Sequence, residues 1–399
     1  MSRGSRAAAL AVLALAAAGC GSSAPKHVAA LPASGPPDVV RVALAELLWP
    51  LESERARTRD QIVVARMLFA TPLRTAAAGS LRPGLCTRWR ASGVAWRFQC
   101  SHAGAIASQL RRVKRFAAWR VAAPDEHTLV VTPPAADPDL PYRLTQVAAA
   151  PPGVPGPFRL ISASPTRIVA ERRGLRVELR KLDPFAALKL FRAGLLDEAP
   201  VPLGDIRATR LNALLAPALR VRRLQAADVV VFKPSVPAEA RSVYDDTANR
   251  ADYQALVSEF EAPPAESLAA HGQPSAAQAT VALREGRKRI PSLGHVAVRF
   301  AEPFDPTLAY GTNLLVASWR DLGLAAVVGK PADARLERLL APYPGPRALA
   351  GLGTDGFAVP IAWVVDARLV SARLRGWHED EIGSVDYARV RLRAPSRRR

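Results

Sequence analysis

Two cysteines are the first candidates for covalent chemistry in this sequence. Cys86 and Cys100 lie in a segment that predicts two short strands with a turn around Ser92-Gly93-Val94. With the turn centred there, the expected facing pairs are 86 with 100, 89 with 97 and 90 with 96. Facing cysteines oxidise to a disulfide in an oxidising compartment, where closing a loop of this length is worth roughly 3 kcal/mol. The alternative is two free buried thiols.

A third cysteine, Cys20, follows an amino-terminal segment that is typical of export. Residues 1–6 carry two cations, and residues 7–18 carry no charge. This apolar run is too short to span a bilayer, which takes about 20 residues, but it matches the apolar core of a secretory signal. The small residues directly before Cys20 resemble the lipobox of bacterial lipoproteins. That resemblance implies cleavage before Cys20 and lipidation of its thiol; the alternative is an ordinary signal with a chance cysteine.

The predicted processing determines where the protein should be found. We expect a lipoprotein signal peptide over residues 1–19 and a flexible tether over residues 20–37, which are small, polar and Pro-rich. Several acyl chains on Cys20 would anchor the protein to the outer face of the cytoplasmic membrane, outside the cytoplasm. This location supplies the oxidising compartment that a disulfide between Cys86 and Cys100 requires.

The remaining reactive side chains lack the spacing of a catalytic or metal site. The six histidines are isolated, and the sequence has neither a Gly-x-Ser-x-Gly elbow nor the Lys-Ser/Thr of a phosphate loop. The run His378-Glu-Asp-Glu381 could attract a cation, but a solvated turn is the commoner outcome. Asp245 and Asp246 are interpreted as part of a solvated helix face. We therefore predict no enzymatic activity, no metal site and no cofactor.

The bulk composition limits the class of protein. The chain has 399 residues, so removal of residues 1–19 leaves 399 − 19 = 380, enough for two or three lobes with cores of their own. Its formal net charge is +20, and the cations are scattered instead of forming one basic stripe. We therefore predict no nucleic-acid partner. The charge is attributed to a GC-rich genome that favours Arg, or to attraction to anionic lipid headgroups.

Short strands and helices alternate along the chain, which predicts an α/β fold with α+β elements and more than one lobe. The predicted strands are 39–44, 83–90, 95–100, 128–132, 158–162, 167–171, 175–180, 229–232, 296–300 and 324–328, with a further apolar run at 357–365. The predicted helices are 58–69, 103–112, 184–193, 238–258, 276–287, 306–322 and 333–341.

Six segments, in the same order, resemble one family: the extracellular solute-binding proteins of ABC transporters, family 5, the dipeptide/oligopeptide/nickel-binding class. The segments are GSLRPGL at 79–85 with Trp89 and Trp96, VAAPDEHT at 121–128, GPFRL at 156–160 with RIVAER at 167–172, AGLLD at 193–197, VF at 231–232 with ANR at 248–250, and ASWRDLGLAAV at 317–327. The resemblance covers roughly residues 38–390.

The resemblance implies a two-lobed periplasmic-binding-protein-like fold, type II and cluster C-like. Its first lobe would comprise residues 38–225 and 343–399, and its second lobe residues 226–342. It also implies a lipid-anchored monomer that captures an oligopeptide-like small solute by hinge closure and delivers it to an ABC permease in the membrane. Two alternatives are a degenerate member of the family that acts as a cell-envelope scaffold or sensor, and a hydrolase, which the absence of a catalytic motif disfavours.

The sequence departs from the family pattern at two places. The family is usually longer, and the segment after Phe98 is shortened, which predicts a trimmed accessory subdomain near residues 50–150. The acidic stretch that holds a peptide's amino terminus in peptide binders corresponds to Tyr343-Pro-Gly-Pro346 here. Without this acidic stretch, the amino terminus of a bound peptide lacks the carboxylate that usually holds it.

Three aromatic residues are the candidate ligand-binding residues: Trp49, Tyr343 and Trp363. Trp49 follows the first strand, Tyr343 lies in the altered loop, and Trp363 lies on a late strand. Each ring could stack on a solute in the cleft between the lobes, and the alternative for each is a place in the core. Trp89, Trp96 and Trp319 are predicted to be core residues, and Arg250 is predicted to pair within its own lobe.

Overall fold

The structure of the chain is a computed structural model. It describes residues 38–56, 58–76, 80–113, 116–145, 156–258, 276–293, 296–303, 306–341 and 357–393. Cys20, the predicted signal and tether, and Tyr343 lie outside the described residues. Along the part of the chain that is described, no helix combines the length and apolarity needed to cross a membrane.

Strands and helices alternate through the described residues. The strands are β1 Val39–Leu44, β2 Leu73–Thr75, β3 Leu81–Pro83, β4 Cys86–Ser92, β5 Ala95–Cys100, β6 Arg120–Ala122, β7 Thr128–Thr132, β8 Arg159–Ala163, β9 Arg167–Arg172, β10 Leu175–Lys181, β11 Glu198–Pro200, β12 Leu219–Phe232, β13 Val298–Ala301, β14 Ala326–Val328, β15 Ala334–Leu340, β16 Ala358–Val370, β17 Leu374–Arg375 and β18 Arg391–Leu392. The α-helices are α1 Arg59–Leu68, α2 Ala103–Arg112, α3 Leu140–Arg143, α4 Pro184–Arg192, α5 Ile206–Leu211, α6 Ala238–Asp246, α7 Arg250–Ser258, α8 Ala276–Leu293 and α9 Pro306–Asp321.

One large mixed sheet organises the molecule. Its strand order is β14-β13-β15-β12-β16-β11-β1-β10-β9-β8. Its two longest strands, β12 and β16, are antiparallel neighbours of 14 and 13 residues. β16 is apolar and buried along most of its length, as expected for a strand that is covered on both faces.

The paired strands β12 and β16 pass from one hydrophobic core to another. The half of β16 that contains Val359 and Ile361 packs in the core formed with α6 to α9. The half that contains Ala367 and Leu369 packs in the core formed with α4 and α5. The pairing register shifts between these halves, so the ladder is interrupted where the two cores meet. We refer to this part of β12 and β16 as the strand crossing.

A buried carboxylate lies at the strand crossing and is held by partners from two other elements. Asp228, on β12, is 3% exposed. Its oxygens accept hydrogen bonds from Nε of Arg338 on β15 at 2.8 Å and from the hydroxyl of Tyr253 on α7 at 3.0 Å. These bonds satisfy a polar group that would be costly to bury without partners.

The core beside α6 to α9 is built around aromatic rings. Trp319 is fully buried and lies 4.9 Å from Tyr244 and 5.1 Å from Phe300, measured between ring centroids. This position confirms the prediction that Trp319 is a core residue. Arg250, predicted to pair within its lobe, does so with Asp245 and donates from Nε to the carbonyl of Pro360 on β16 at 2.9 Å.

A second core lies between helix α1 and the strands β1, β9 and β10. Val63 and Val64 of α1 are fully buried against it. Thr58 caps the helix: its side chain accepts a bond from the backbone N–H of Gln61, whose own side chain accepts from the Thr58 N–H. This reciprocal capping fixes the start of α1 and hence the place of the charged residues in its first turn.

A smaller core, covered by the sheet β4-β5-β7-β6, contains the disulfide. The bond between Cys86 and Cys100 is present, as predicted. The expected register was wrong by one residue, because the turn contains only Gly93 and Val94 and pairs Arg90 with Arg97. A register shift between Cys86 and Arg88 nevertheless places Cys86 opposite Cys100. Trp89 and Trp96 are partly buried against this core.

Several elements differ from the sequence-based expectation, among them the helix predicted over 238–258, which is divided into α6 and α7. The predicted helix over 333–341 is the strand β15, paired with β12 and β13. Leucines at helical spacing suggested a helix there, but tertiary pairing imposes a strand. β12 is also much longer than the predicted 229–232, because its first half is rich in arginine and does not carry the apolar signal of a buried strand.

Candidate functional site

Trp363 lies in the strand crossing, where its side chain is inaccessible to a large solute. It is 1% exposed, pairs with Ala227 in the register of β12 and β16, and packs with Val229 and Ile382. The guanidinium carbon of Arg223 lies 4.4 Å from the ring centroid, a cation–π arrangement that covers one face. A direct contact between Trp363 and solute stays a prediction.

Trp49 has the opposite environment. Its side chain is 49% exposed, whereas Leu47 and Leu48 directly before it are buried in the core beneath α1. The loop after β1 is thus held by two leucines while the indole faces outward. Of the predicted ligand residues, Trp49 is accessible and Trp363 is not, and Tyr343 lies outside the described residues.

A cluster of buried charges lies at the carboxyl end of β1, close to this loop. We call it the ion network; it consists of Arg59, Asp60, Glu198, Asp366, Arg368 and Glu379. Asp60 connects it to the strand end by accepting the backbone N–H of Ala45 at 2.7 Å. Ligands of open α/β sheets commonly bind at the carboxyl ends of strands, and here that space holds the chain's own side chains.

Arg368 is the centre of the ion network. Its side chain is 3% exposed. Nη2 lies 3.1 Å from Asp60 Oδ1, and Nη1 lies 3.2 Å from Glu198 Oε1. Nε lies 3.0 Å from Asp366 Oδ2. Burial alone would lower its pKa, but the surrounding carboxylates, Asp366 foremost, raise it well above the usual value. The guanidinium therefore stays charged.

Arg59, the first residue of α1, provides the second cation. Its Nη1 donates to Asp60 Oδ1 at 2.8 Å, and its Nη2 donates to Glu379 Oε1 at 2.9 Å. Burial and the charge of Arg368 act to lower the pKa of Arg59, but the carboxylates of Asp366, Asp60 and Glu379 raise it overall. The ion network thus sets four carboxyl groups against two guanidinium groups.

Asp366 and Glu379 have pKa values that shift in opposite directions. Burial acts first to raise the pKa of Asp366, but the charges of Arg368 and Arg59 outweigh it and lower that pKa. Burial, and then the negative charge of Asp366, raise the pKa of Glu379 well above its usual value. A proton on Glu379 would reduce the excess of negative charge in the network.

The ion network also fastens the carboxy-terminal segment, which we define as residues 376–389. Glu198 Oε2 accepts the indole N–H of Trp377 at 2.6 Å and the hydroxyl of Tyr387 at 2.7 Å. Burial, followed by the charge of Glu198, raises the pKa of the Tyr387 hydroxyl well above its usual value, so it remains a donor. The same segment reaches the strand crossing, where the Glu381 carbonyl accepts the N–H of Gln225 at 2.6 Å.

The run 378–381 is therefore not the solvated turn that the sequence suggested. Glu379 is 3% exposed and Asp380 is 5% exposed. The likewise predicted solvated face at Asp245 and Asp246 carries ion pairs, to Arg250 and Arg289 respectively. Among the described residues, no group of three or more His, Cys, Asp or Glu is arranged to hold a metal ion.

Sequence reasoning missed the ion network. A signal for it exists in β16, where Asp366 and Arg368 interrupt an otherwise apolar strand at a spacing of two, which puts both side chains on one face. Charged residues in a strand that is otherwise buried imply buried partners. The identity of those partners, in α1, β11 and the carboxy-terminal segment, depends on contacts that are distant in sequence.

The carboxy-terminal segment also closes one side of a cavity. The other walls come from α1, from residues 71–76, and from Thr145, Pro157 and Phe158. The cavity is open to solvent. It lies against the core beneath α1, and Trp363 is not among its lining residues.

Comparisons with known proteins identify the fold. No protein-family model and no curated protein sequence matches the chain. Among solved structures, it is similar to Haemophilus influenzae OppA in complex with RPPGFSPFR, at 13% identity and a TM-score of 0.73 over 89% of this chain and 99% of that one. It is also similar to the Escherichia coli murein tripeptide binding protein MppA, at 12% identity and a TM-score of 0.74 over 89% and 98% of the two chains.

A third similar structure extends the range of ligands. NikA from Brucella suis in complex with Fe(III)-EDTA matches at 11% identity and a TM-score of 0.66, over 89% of this chain and all of that one (100%). At such identities the likeness concerns the fold. The predicted two-lobed fold of the OppA, MppA and NikA type is thereby confirmed.

Proposed function

We propose that this protein is a solute-binding receptor that captures a peptide-like solute between two lobes. The observation that carries the proposal is the strand crossing: two long strands join two separate cores, and the ladder between them is interrupted where the cores meet. Interrupted pairing between two packed cores is the kind of joint at which hinge closure occurs. The fold shared with solute-binding proteins supports this interpretation.

The solute class is inferred from the ligands of the similar structures. One was solved with the peptide RPPGFSPFR, one is named for a murein tripeptide, and one holds Fe(III)-EDTA. Two of the three bind peptides, so a peptide-like solute is the first candidate and a metal chelate the second. Trp49, exposed on the loop after β1, is the candidate to stack on it.

The proposed receptor is a non-enzymatic monomer that works outside the cytoplasm. Lipid on Cys20 would hold it on the outer face of the cytoplasmic membrane, and the predicted tether over 20–37 would let it reach an ABC permease. Metabolic labelling with a palmitate analogue tests the anchor: wild type should incorporate the label and Cys20→Ala should not. Label retained by Cys20→Ala would contradict the predicted lipidation site.

A binding screen tests the proposed capture. Purified protein is heated with peptides of two to nine residues, with sugars and with metal chelates. A true ligand at a hundredfold excess over its Kd stabilises the folded state by about 2.7 kcal/mol and raises the melting temperature accordingly. We expect at least one peptide class to do so. If no compound in the screen shifts the melting temperature, the receptor proposal is wrong.

A second function, as a cell-envelope scaffold or sensor without transport, is favoured by a different observation. The space at the carboxyl end of β1 is filled by the ion network, and Trp363 is covered by Arg223. A cleft that is filled by its own side chains has little room for cargo. This alternative predicts that the protein binds another envelope protein but none of the screened solutes.

A further inference from the structure

The cavity beside α1 contains buried polar atoms without partners. Ser384 is 2% exposed, and its hydroxyl oxygen has no hydrogen-bond partner in the structure. The Nη2 atom of Arg66 is likewise buried and without a partner. Both residues line the cavity. Buried donors are nearly always satisfied, so two such groups in residues that line one cavity indicate a missing acceptor.

Asp380, the lining acid that pairs with Arg66, cannot be that acceptor. Oδ1 of Asp380 accepts the backbone N–H groups of Ile382 at 3.1 Å and Ser384 at 2.9 Å. Oδ2 accepts from Nη1 of Arg66 and from the hydroxyl of Thr75. Each carboxylate oxygen thus has two donors, and the Arg66 Nη2 and Ser384 hydroxyl groups remain for another oxygen.

The charge of the lining also favours an anion. Three guanidinium groups, those of Arg66, Arg74 and Arg389, line the cavity with only two carboxylates, Asp380 and Asp386. Arg66 is paired with Asp380, and Arg389 lies 3.4 Å from Asp386. Arg74 is the lining cation left without an ion pair among the described residues.

The position of Arg74 in its strand adds to the excess of positive charge around the cavity. In the β2–β3 pair, Arg74 lies directly opposite Arg82. Like charges at facing positions of an antiparallel pair destabilise the pairing unless a counter-charge lies near. A single negative charge in the cavity would relieve the repulsion and balance the lining, whereas a dianion would leave an excess of negative charge.

Part of the lining is apolar, although Thr71, Thr145, His378 and Tyr387 also contribute to it. Met67, Phe158 and Val385 are each buried in the core beneath α1, and all three line the cavity. A ligand that contacts both the cationic and the apolar lining residues would have one anionic group and a short hydrocarbon part.

We propose that this cavity binds the carboxylate of a small organic acid, with Arg66, Arg74 and Ser384 holding the carboxylate and Met67, Phe158 and Val385 contacting its carbon chain. The site is separate from the strand crossing, and the proposal does not depend on transport of a peptide. It assigns the carboxy-terminal segment a second role besides closing the ion network.

The experiment compares butyrate with butyramide, which has the same shape but no charge, and with inorganic phosphate. Binding to the full-length protein is measured by isothermal titration calorimetry. We expect butyrate to bind and butyramide to bind at least about tenfold more weakly. Hydrogen bonds to a charged carboxylate are stronger than those to a neutral amide, and the difference in free energy corresponds to that ratio of affinities. Phosphate should bind more weakly than butyrate.

Two variants and one control locate the site. Arg74→Gln and Ser384→Ala should each weaken butyrate binding by about three- to tenfold. Arg207→Gln removes an exposed arginine of α5, outside the lining, and should leave the affinity unchanged. Arg74 makes no ion pair in the described structure, so its variant should fold even if Ser384→Ala does not.

Several results would overturn the proposal. Equal affinity for butyrate and butyramide would show that no carboxylate is recognised. Tighter binding of phosphate than of butyrate would contradict the carboxylate class. No binding of either anion would mean that water alone satisfies Ser384 and Arg66. Wild-type affinity in Arg74→Gln would place butyrate elsewhere.

Discussion

At the scale of single residues, Arg368 supports the largest set of buried charges. Its side chain contacts Asp60, Glu198 and Asp366, all within 3.2 Å. Loss of this cation would leave Arg59 as the one guanidinium among the four carboxyl groups of the network, which is more costly than losing an exposed pair.

Substitution of Arg368 tests this dependence. Arg368→Met should lower the free energy of unfolding by about 3–5 kcal/mol, measured by urea denaturation. The matched control is Arg335→Met, which removes an exposed partner of Glu337 and should cost less than about 1 kcal/mol. A loss for Arg368→Met as small as that of the control would show that the network contributes no stability.

Glu379 should make stability depend on pH. Its pKa is raised in the folded protein, so between the ordinary glutamate pKa and the raised value the folded state binds one more proton than the unfolded chain. Stability from this group is therefore complete below the ordinary pKa and is lost as pH rises through the raised one. Each unit of the shift corresponds to about 1.4 kcal/mol.

Glu379→Gln keeps a neutral group that can still hydrogen-bond to Asp366 and Arg59. We expect this variant to lose less stability than wild type as the pH rises from 5 to 9, because Gln cannot release a proton. The free energy of unfolding is measured at intervals of about one pH unit. Glu337→Gln, at an exposed ion pair, should follow the wild-type curve. Parallel curves for Glu379→Gln and wild type would contradict a raised pKa.

Trp49 and Trp363 should respond to truncation in opposite ways. Trp363→Ala opens a cavity in the strand crossing and should cost about 3–5 kcal/mol of stability. Trp49→Ala, at a half-exposed site, should change stability by less than about 1 kcal/mol and weaken binding of any solute found in the screen. Unchanged solute affinity in Trp49→Ala would remove Trp49 from the binding site.

At the scale of elements, the disulfide hairpin cross-links the small core that its sheet covers. The bond between Cys86 and Cys100 joins the ends of β4 and β5, and both sulfurs lie in a core shared with α2 and α3. A small core has little apolar area to bury, so a cross-link contributes a large share of its stability.

Removal of this cross-link should destabilise the hairpin region selectively. Cys86→Ala/Cys100→Ala should lose about 3 kcal/mol, measured by urea denaturation. Hydrogen exchange should rise in β4, β5 and β7 and stay unchanged in β12 and β16. Dithiothreitol should destabilise wild type but not the variant; equal sensitivity of the two proteins would show that the bond does not form in solution.

Elements were predictable where local pattern and tertiary pairing agree. β1, α2 and β7 coincide with their predicted ranges because each has a strong apolar pattern between clear boundaries. β15 was predicted as a helix because Leu336, Leu339 and Leu340 have helical spacing, and its pairing with β12 overrides that preference. Such an override cannot be read from a single segment.

At the scale of the whole molecule, the proposed receptor should close when it binds. β12 and β16 connect the two cores, and a solute that contacts both lobes binds the closed state more tightly than the open one. The radius of gyration, measured by small-angle X-ray scattering, should decrease when a stabilising peptide from the screen is added. Stabilisation with an unchanged radius of gyration would contradict closure.

The sequence by itself determined the class of fold, most strand and helix positions and the disulfide partners; the export signal stays a prediction. These depend on local signals: apolar periodicity, turn residues, and motif segments that keep their order along the chain. The tertiary structure decided the hairpin register, the identity of β15, the burial of Trp363 and the existence of the ion network. Asp60 and Glu198 are far from each other and from Arg368 in sequence, and their contacts arise only when the central sheet brings α1, β11, β16 and the carboxy-terminal segment together.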